Sequence, residues 1–134
     1  MSRLMSVAFT ADQVIARQKT VTRRKGWWTD KHGKRILQPG DTLTLCRKVM
    51  GRKPGEPLER LAEVEVVSVV RCELGLVRAP GELAAEGFPE LERWPGPFQG
   101  AQEFIARFFE PQGIGWDDDV TRIQWRYLDT EADS

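Results

Sequence analysis

A chain of 134 residues, 40% apolar and 30% charged with a net charge of zero, is one domain long and able to bury about two thirds of the surface it exposes when unfolded. It needs no disulfide framework or structural metal: Cys46 and Cys72 are separate, without a C-x-x-C spacing, and His32 is the single histidine. That inventory supports neither a zinc site nor a histidine-based triad, and both cysteines are expected reduced and half-buried. The opening "MSRLMSVAFTADQ" holds no apolar run long enough for a signal peptide or membrane span, so the expected location is the cytoplasm.

The zero net charge hides a split. Residues 1–55 carry 13 Lys/Arg against 3 Asp/Glu, and residues 56–134 carry 7 against 17, so the two parts stand at +10 and −10. Either two oppositely charged surfaces attract each other within one fold, or a basic face that meets phosphates adjoins an acidic one that limits non-specific contact.

In chain order, Leu4–Phe9 is a short apolar run. Thr10 and Gln13 have the T-x-x-Q spacing of a capping box, which predicts a brief helix ending near Gln18. "KTVTRR" (19–24) follows with β-branched Thr20, Val21 and Thr22 and favours an extended segment. "KGWWTDKHGK" (25–34) reads as a loop, and the "QPGD" turn at 38–41 leads into Thr42–Cys46, whose alternation marks a half-buried strand. After "GRKPGEP", residues 58–74 alternate and then become continuously apolar at Val66–Val70, the pattern of a long strand bent or bulged where its phase changes. A Gly/Pro-rich stretch, 75–100, contains the short helical piece "GELAAEGF". Ala101, Phe104, Ile105, Phe108 and Phe109 then share one helix face, a core stripe. "VTRIQWRYL" (120–128) alternates Ile123, Trp125 and Tyr127 with Arg122, Gln124 and Arg126 as a last strand. The polar tail from Thr130 is expected to be disordered.

This order leaves little room for parallel crossover units and predicts an α+β domain over residues 4–129, a small, mostly antiparallel β-barrel flanked by short helices.

Chemistry concentrates in "RQKTVTRRKGWW" (17–28), with five cations and two tryptophans. On an extended segment Thr20, Thr22 and Arg24 point one way and Lys19, Val21 and Arg23 the other. Lys19, at the helix exit, has a stem long enough to swing toward Thr22, so that an amine, a hydroxyl and a guanidinium would converge. The plainer alternative is a good strand sequence with solvated cations. Arg23, Arg24 and Lys25 beside Trp27 and Trp28 also suit single-stranded nucleic acid, with phosphates on the cations and a base stacked on a tryptophan. The "WDDDV" run reads as a solvated turn, because three consecutive carboxylates cannot all reach one ion. No metal or cofactor is expected.

The helix, "K-T-V-T-R-R", "P-G-D" before a strand, a long strand and "A-E-G-F" before a final helix and strand together resemble the ASCH domain over about residues 5–128. The resemblance implies a PUA-like barrel with a cleft for a nucleobase, nucleotide or RNA segment. Some members hydrolyse N(4)-acetylcytidine with a lysine, a threonine and a glutamate, which fall here on Lys19, Thr22 and Glu86. The implied partner is RNA or a modified nucleoside, bound by Thr20, Arg23, Arg24, Lys25, Trp27 and Trp28. An amidohydrolase using Lys19, Thr22 and Glu86 is the alternative, with a ribonuclease or a purely structural interaction protein behind it. The extra segments "GWWTDKHGKRIL", "MGRKPGEPLER" and "PELERWPGPFQG" are expected to line or cover the cleft.

Overall fold

In the computed structural model, which describes residues 2–96 and 98–128, the alternating segments become five strands of one sheet. They are β1 (Arg3–Ser6), β2 (Val21–Arg24), β3 (Thr42–Cys46), β4 (Arg60–Glu73) and β5 (Asp119–Tyr127), in the order β1-β3-β4-β5-β2. Three neighbouring pairs are antiparallel and one, β1 with β3, is parallel. The α+β class and the mostly antiparallel sheet are as expected. The closed barrel is not formed: β1 and β2 are the edges of a half-barrel, and the Arg24 side chain reaches from one to the other, Nη2 donating to Ser6 O at 2.7 Å.

The phase change in β4 is a bulge. Ala62, Val64 and Val66 face inward, the register against β5 slips between Val66 and Ser68, and the next inward residue is Val69, while Val67 and Val70 are exposed. An inserted residue re-aims the rest of a strand, because side chains alternate with a period of two. On β5, Ile123, Trp125 and Tyr127 are buried in the half-barrel with Met5, Leu43, Leu45 and Val64.

A second core lies under the helices α2 (Glu82–Ala85) and α3 (Gln99–Phe108), where Leu83, Phe88, Leu91, Phe104, Ile105 and Phe109 pack together. The predicted stripe is buried at Ala101, Phe104, Ile105 and Phe109, but Phe108 at its edge is only half-buried. Helix α1 (Ala11–Ile15) starts where expected without its capping box: the Thr10 side chain makes no cap hydrogen bond, because a 3-10 turn over Ala8–Thr10 already winds into the helix.

None of the described residues of the three extra segments lines the cleft described below; the first and third pack on the cores, whereas the second is largely exposed. Leu37 is buried in the half-barrel core, Trp27, Trp28 and Ile36 lean on it, and Leu91 belongs to the helical core. Apolar residues in an insertion find the nearest core, which here corrects the expectation that they cover the site. Cys46 and Cys72 are unpaired, and burial pushes both thiols up. Among the described residues no helix is long and apolar enough to cross a membrane, and no cluster of three His, Cys, Asp or Glu side chains is placed to hold a metal ion. The polar tail and residue 129 lie outside the described residues.

Candidate functional site

The open side of the half-barrel holds a cleft of about 830 Å³, lined by β2, the 3-10 turn after β1, the end of α2 and the C-terminal part of α3. That volume falls within the roughly 300–1,000 Å³ of small-molecule sites.

Two local devices set its floor. The first is the end of α2 at "A-E-G-F". Gly87 takes φ +107°, its N–H donates to Ala84 O at 3.0 Å, and Phe88 N–H donates to Leu83 O at 2.9 Å. This is a Schellman C-cap, with Phe88 and Leu83 sharing the apolar contact that accompanies it. Gly87 is also sterically required, since a Cβ there would sit 2.8 Å from the Gln13 side chain. The cap leaves Glu86 buried in the cleft beside Lys19.

The second device fixes the backbone before β2. Thr20 N–H donates to Ala85 O at 2.8 Å, and Lys19 O accepts from Trp125 Nε1 at 3.0 Å and from the Tyr127 hydroxyl. Lys19 thus enters β2 with its backbone held by β5 and α2.

Its side chain turns to Glu86. Lys19 Nζ donates to Glu86 Oε1 and to Glu86 O, each at 2.9 Å, with both side chains at most 3% exposed. Burial holds the Lys19 amine below the ordinary lysine value; Glu86 opposes this, and Arg24 and Arg23 add to it. The other Glu86 oxygen accepts from Arg23 Nη1 at 2.8 Å. Arg23 Nη2 donates in turn to Glu82, which also accepts from Arg122 Nε at 2.8 Å and Nη2 at 3.1 Å. Arg23 is raised despite its burial, because both carboxylates stabilise its charge, whereas Glu82 is held low, its own burial being outweighed by the two arginines.

Thr22 is buried on the same floor, and its Oγ1 accepts from Arg24 Nε at 3.2 Å. No hydrogen bond joins Lys19 to Thr22 among the described residues. Among the described residues Arg24 hydrogen-bonds only the neutral oxygens of Thr22 and Ser6; burial lowers its guanidinium, and the charge of nearby Glu86 opposes this. Lys25, exposed, continues the basic side of the cleft.

The cleft gathers six of the nine residues singled out from sequence: Lys19, Thr22, Arg23, Arg24, Lys25 and Glu86. Thr20, Trp27 and Trp28 do not line it, and the Trp28 face is covered by the Arg35 guanidinium at 3.5 Å. Its other wall is aromatic. Phe9, 86% exposed, stands 6.5 Å from Phe108, which lies 5.2 Å from Phe88 and 5.3 Å from Phe104. Sequence reasoning missed this wall; its only signal was that Phe9 and Phe108 end or edge their apolar patterns.

This half-barrel with its flanking helices is an ASCH-like fold. A solved ASCH domain from Lactobacillus crispatus JV V101 superposes with a TM-score of 0.51 at 17% identity, covering 94% of this chain and 79% of that one. Protein EF3133 from Enterococcus faecalis V583, of the DUF984 family, aligns at TM-score 0.63 and 12% identity over 96% and 77% of the two chains. The hypothetical protein PH0355 does so at 0.54 and 15%, over 96% and 100%. No family model and no curated protein matches the sequence.

Proposed function

We propose that the protein is a PUA-like recognition module that binds RNA or a modified nucleoside in this basic, aromatic-walled cleft. The observation that carries the reading is Arg24, a cation set in the cleft floor that hydrogen-bonds neutral oxygens and, among the described residues, ion-pairs with no carboxylate. Such a guanidinium suits a phosphate oxygen or a base carbonyl. Phe9 and Phe108 in the same cleft offer a face to a base, and stacking on an aromatic side chain is worth about 1–3 kcal/mol per base. A short single-stranded RNA added to isotope-labelled protein is expected to move the backbone resonances of Val21–Lys25 and Phe9 and to leave the 47–58 loop in place. Perturbation confined to that loop, or none at all, would count against the reading.

A second reading, amide hydrolysis of an N(4)-acylated cytosine nucleoside, is favoured by the Lys19–Glu86 bond and by Arg24 on the Thr22 hydroxyl. Uncharged Lys19 would take the Thr22 proton as Oγ1 attacks the acyl carbon. Glu86, supplied with that proton by Lys19, would protonate the departing cytosine amine, and water would then cleave the threonine ester. Ligand binding would have to bring Lys19 and Thr22 together, as catalytic hydrogen bonds often tighten only with substrate bound. Incubation with N(4)-acetylcytidine would release cytidine from the wild type and not from Lys19→Ala; an inert wild type would dispose of hydrolysis and leave binding standing.

A further inference from the structure

We infer that Arg23 is a positioning residue that acts through Glu86, on which it competes with Lys19, and is not a ligand of the bound molecule. Three observations carry this. Its side chain is 1% exposed although it borders the cleft, and both terminal nitrogens are already engaged, Nη1 on Glu86 and Nη2 on Glu82. Nε is buried as well and has no partner among the described residues. A guanidinium that is buried and turned onto two carboxylates presents no exposed face to a phosphate in the cleft.

The second observation is cross-strand. Arg23 pairs directly with Arg122 on β5, and like charges facing each other across a ladder repel. Glu82 sits between them and accepts from both. Arg122 and Glu82 therefore brace Arg23 from behind.

The third is the division of Glu86: one oxygen goes to Lys19 and the other to Arg23. The groups around Lys19 are Glu86 from the end of α2, Arg23 and Arg24 from β2, Tyr127 and Trp125 at its carbonyl from β5, and the Gln13 carbonyl from α1. Among these, Arg23 alone shares the carboxylate that Lys19 uses. By drawing on Glu86, Arg23 loosens the hold of that carboxylate on the Lys19 proton. Glu82 restrains Arg23 in turn, so the protonation of Lys19 is set from two residues away.

The inference deepens the proposed reading of the cleft and takes its ligand from there, but the ion network is testable in the free protein. Lys19 is followed by its side-chain Cε resonance across a pH titration. In Arg23→Met a repelling cation is gone and both Glu86 oxygens turn to Lys19, so the midpoint rises by about one unit, the size of a close-charge effect. In Glu82→Gln, which keeps the shape but removes the negative charge and one acceptor oxygen, Arg23 leans more heavily on Glu86 and the midpoint falls. Unchanged midpoints in both variants would overturn the inference. With single-stranded RNA as probe, Arg23→Met is expected to keep the wild-type salt slope; a slope reduced by about one, as at a lost phosphate contact, would also overturn it. If the wild type binds no RNA, the binding reading falls and the Lys19 titration alone decides the role of Arg23.

Discussion

Neighbouring cations in and beside β2 carry charge in opposite ways. Lys19 and Arg23 are buried and share Glu86, whereas Arg24 and Lys25, one and two residues beyond Arg23, ion-pair with no carboxylate among the described residues. The first pair ties the end of α2 to β2 through Glu86. In the proposed reading, charge in the second pair is what a ligand would meet. A basic run in a sequence thus divides into two environments as soon as its carboxylate partners are placed.

The sharpest way to break this contrast is to remove the shared carboxylate. Glu86→Ala leaves Lys19 buried without a carboxylate and Arg23 with Glu82 alone, so it should cost about 3–5 kcal/mol of stability, read as a lowered midpoint in urea. Gly87→Ala attacks the same floor through the backbone. With φ +107° and a Cβ driven into Gln13, it should lose about 1–3 kcal/mol, read in the same way. On the outer side, Arg24→Ala should weaken RNA binding about tenfold or more, the loss of a charge-assisted contact.

Phe9→Ala sharpens the contrast further. Its ring is mostly in solvent, so stability should stay within about 0.5 kcal/mol of wild type while binding weakens by the roughly 1–3 kcal/mol of one stacked base. Smallest is the effect of Arg47→Ala, which breaks an exposed pair with Glu59 and should cost under about 1 kcal/mol in the same denaturation. Acid adds a graded test. The native Glu82 carboxyl is held below its unfolded value, so the unfolded chain binds the proton first on acidification. The stability Glu82 provides is complete above the unfolded carboxylate value and is lost as pH falls through the native one. Glu82→Gln should flatten that part of the curve.

Much of the fold was legible because period and phase are local. Ile123, Trp125 and Tyr127 alternate on β5, and the bulge in β4 lies where alternation gives way to a continuous apolar run. Closure was not legible, since it depends on whether β1 and β2 pair, and a side chain, Arg24, spans them instead. At the site, the K-T-V-T-R-R run and Glu86 could be brought together by family resemblance alone. The separate fate of Arg23 could not, because Glu82 and Arg122 become its neighbours only through the sheet register and the docking of α2. Phe108 was read as core for a similar reason: a helical stripe gives the face of a side chain and not which flank of that face is left uncovered.

The most direct test is a titration of a short single-stranded RNA into wild type and Arg24→Ala at several salt concentrations. The account predicts saturable wild-type binding that weakens linearly in log–log form with salt, and in Arg24→Ala a weaker affinity with the slope reduced by about one. Equal affinities and equal slopes for the two proteins would contradict it.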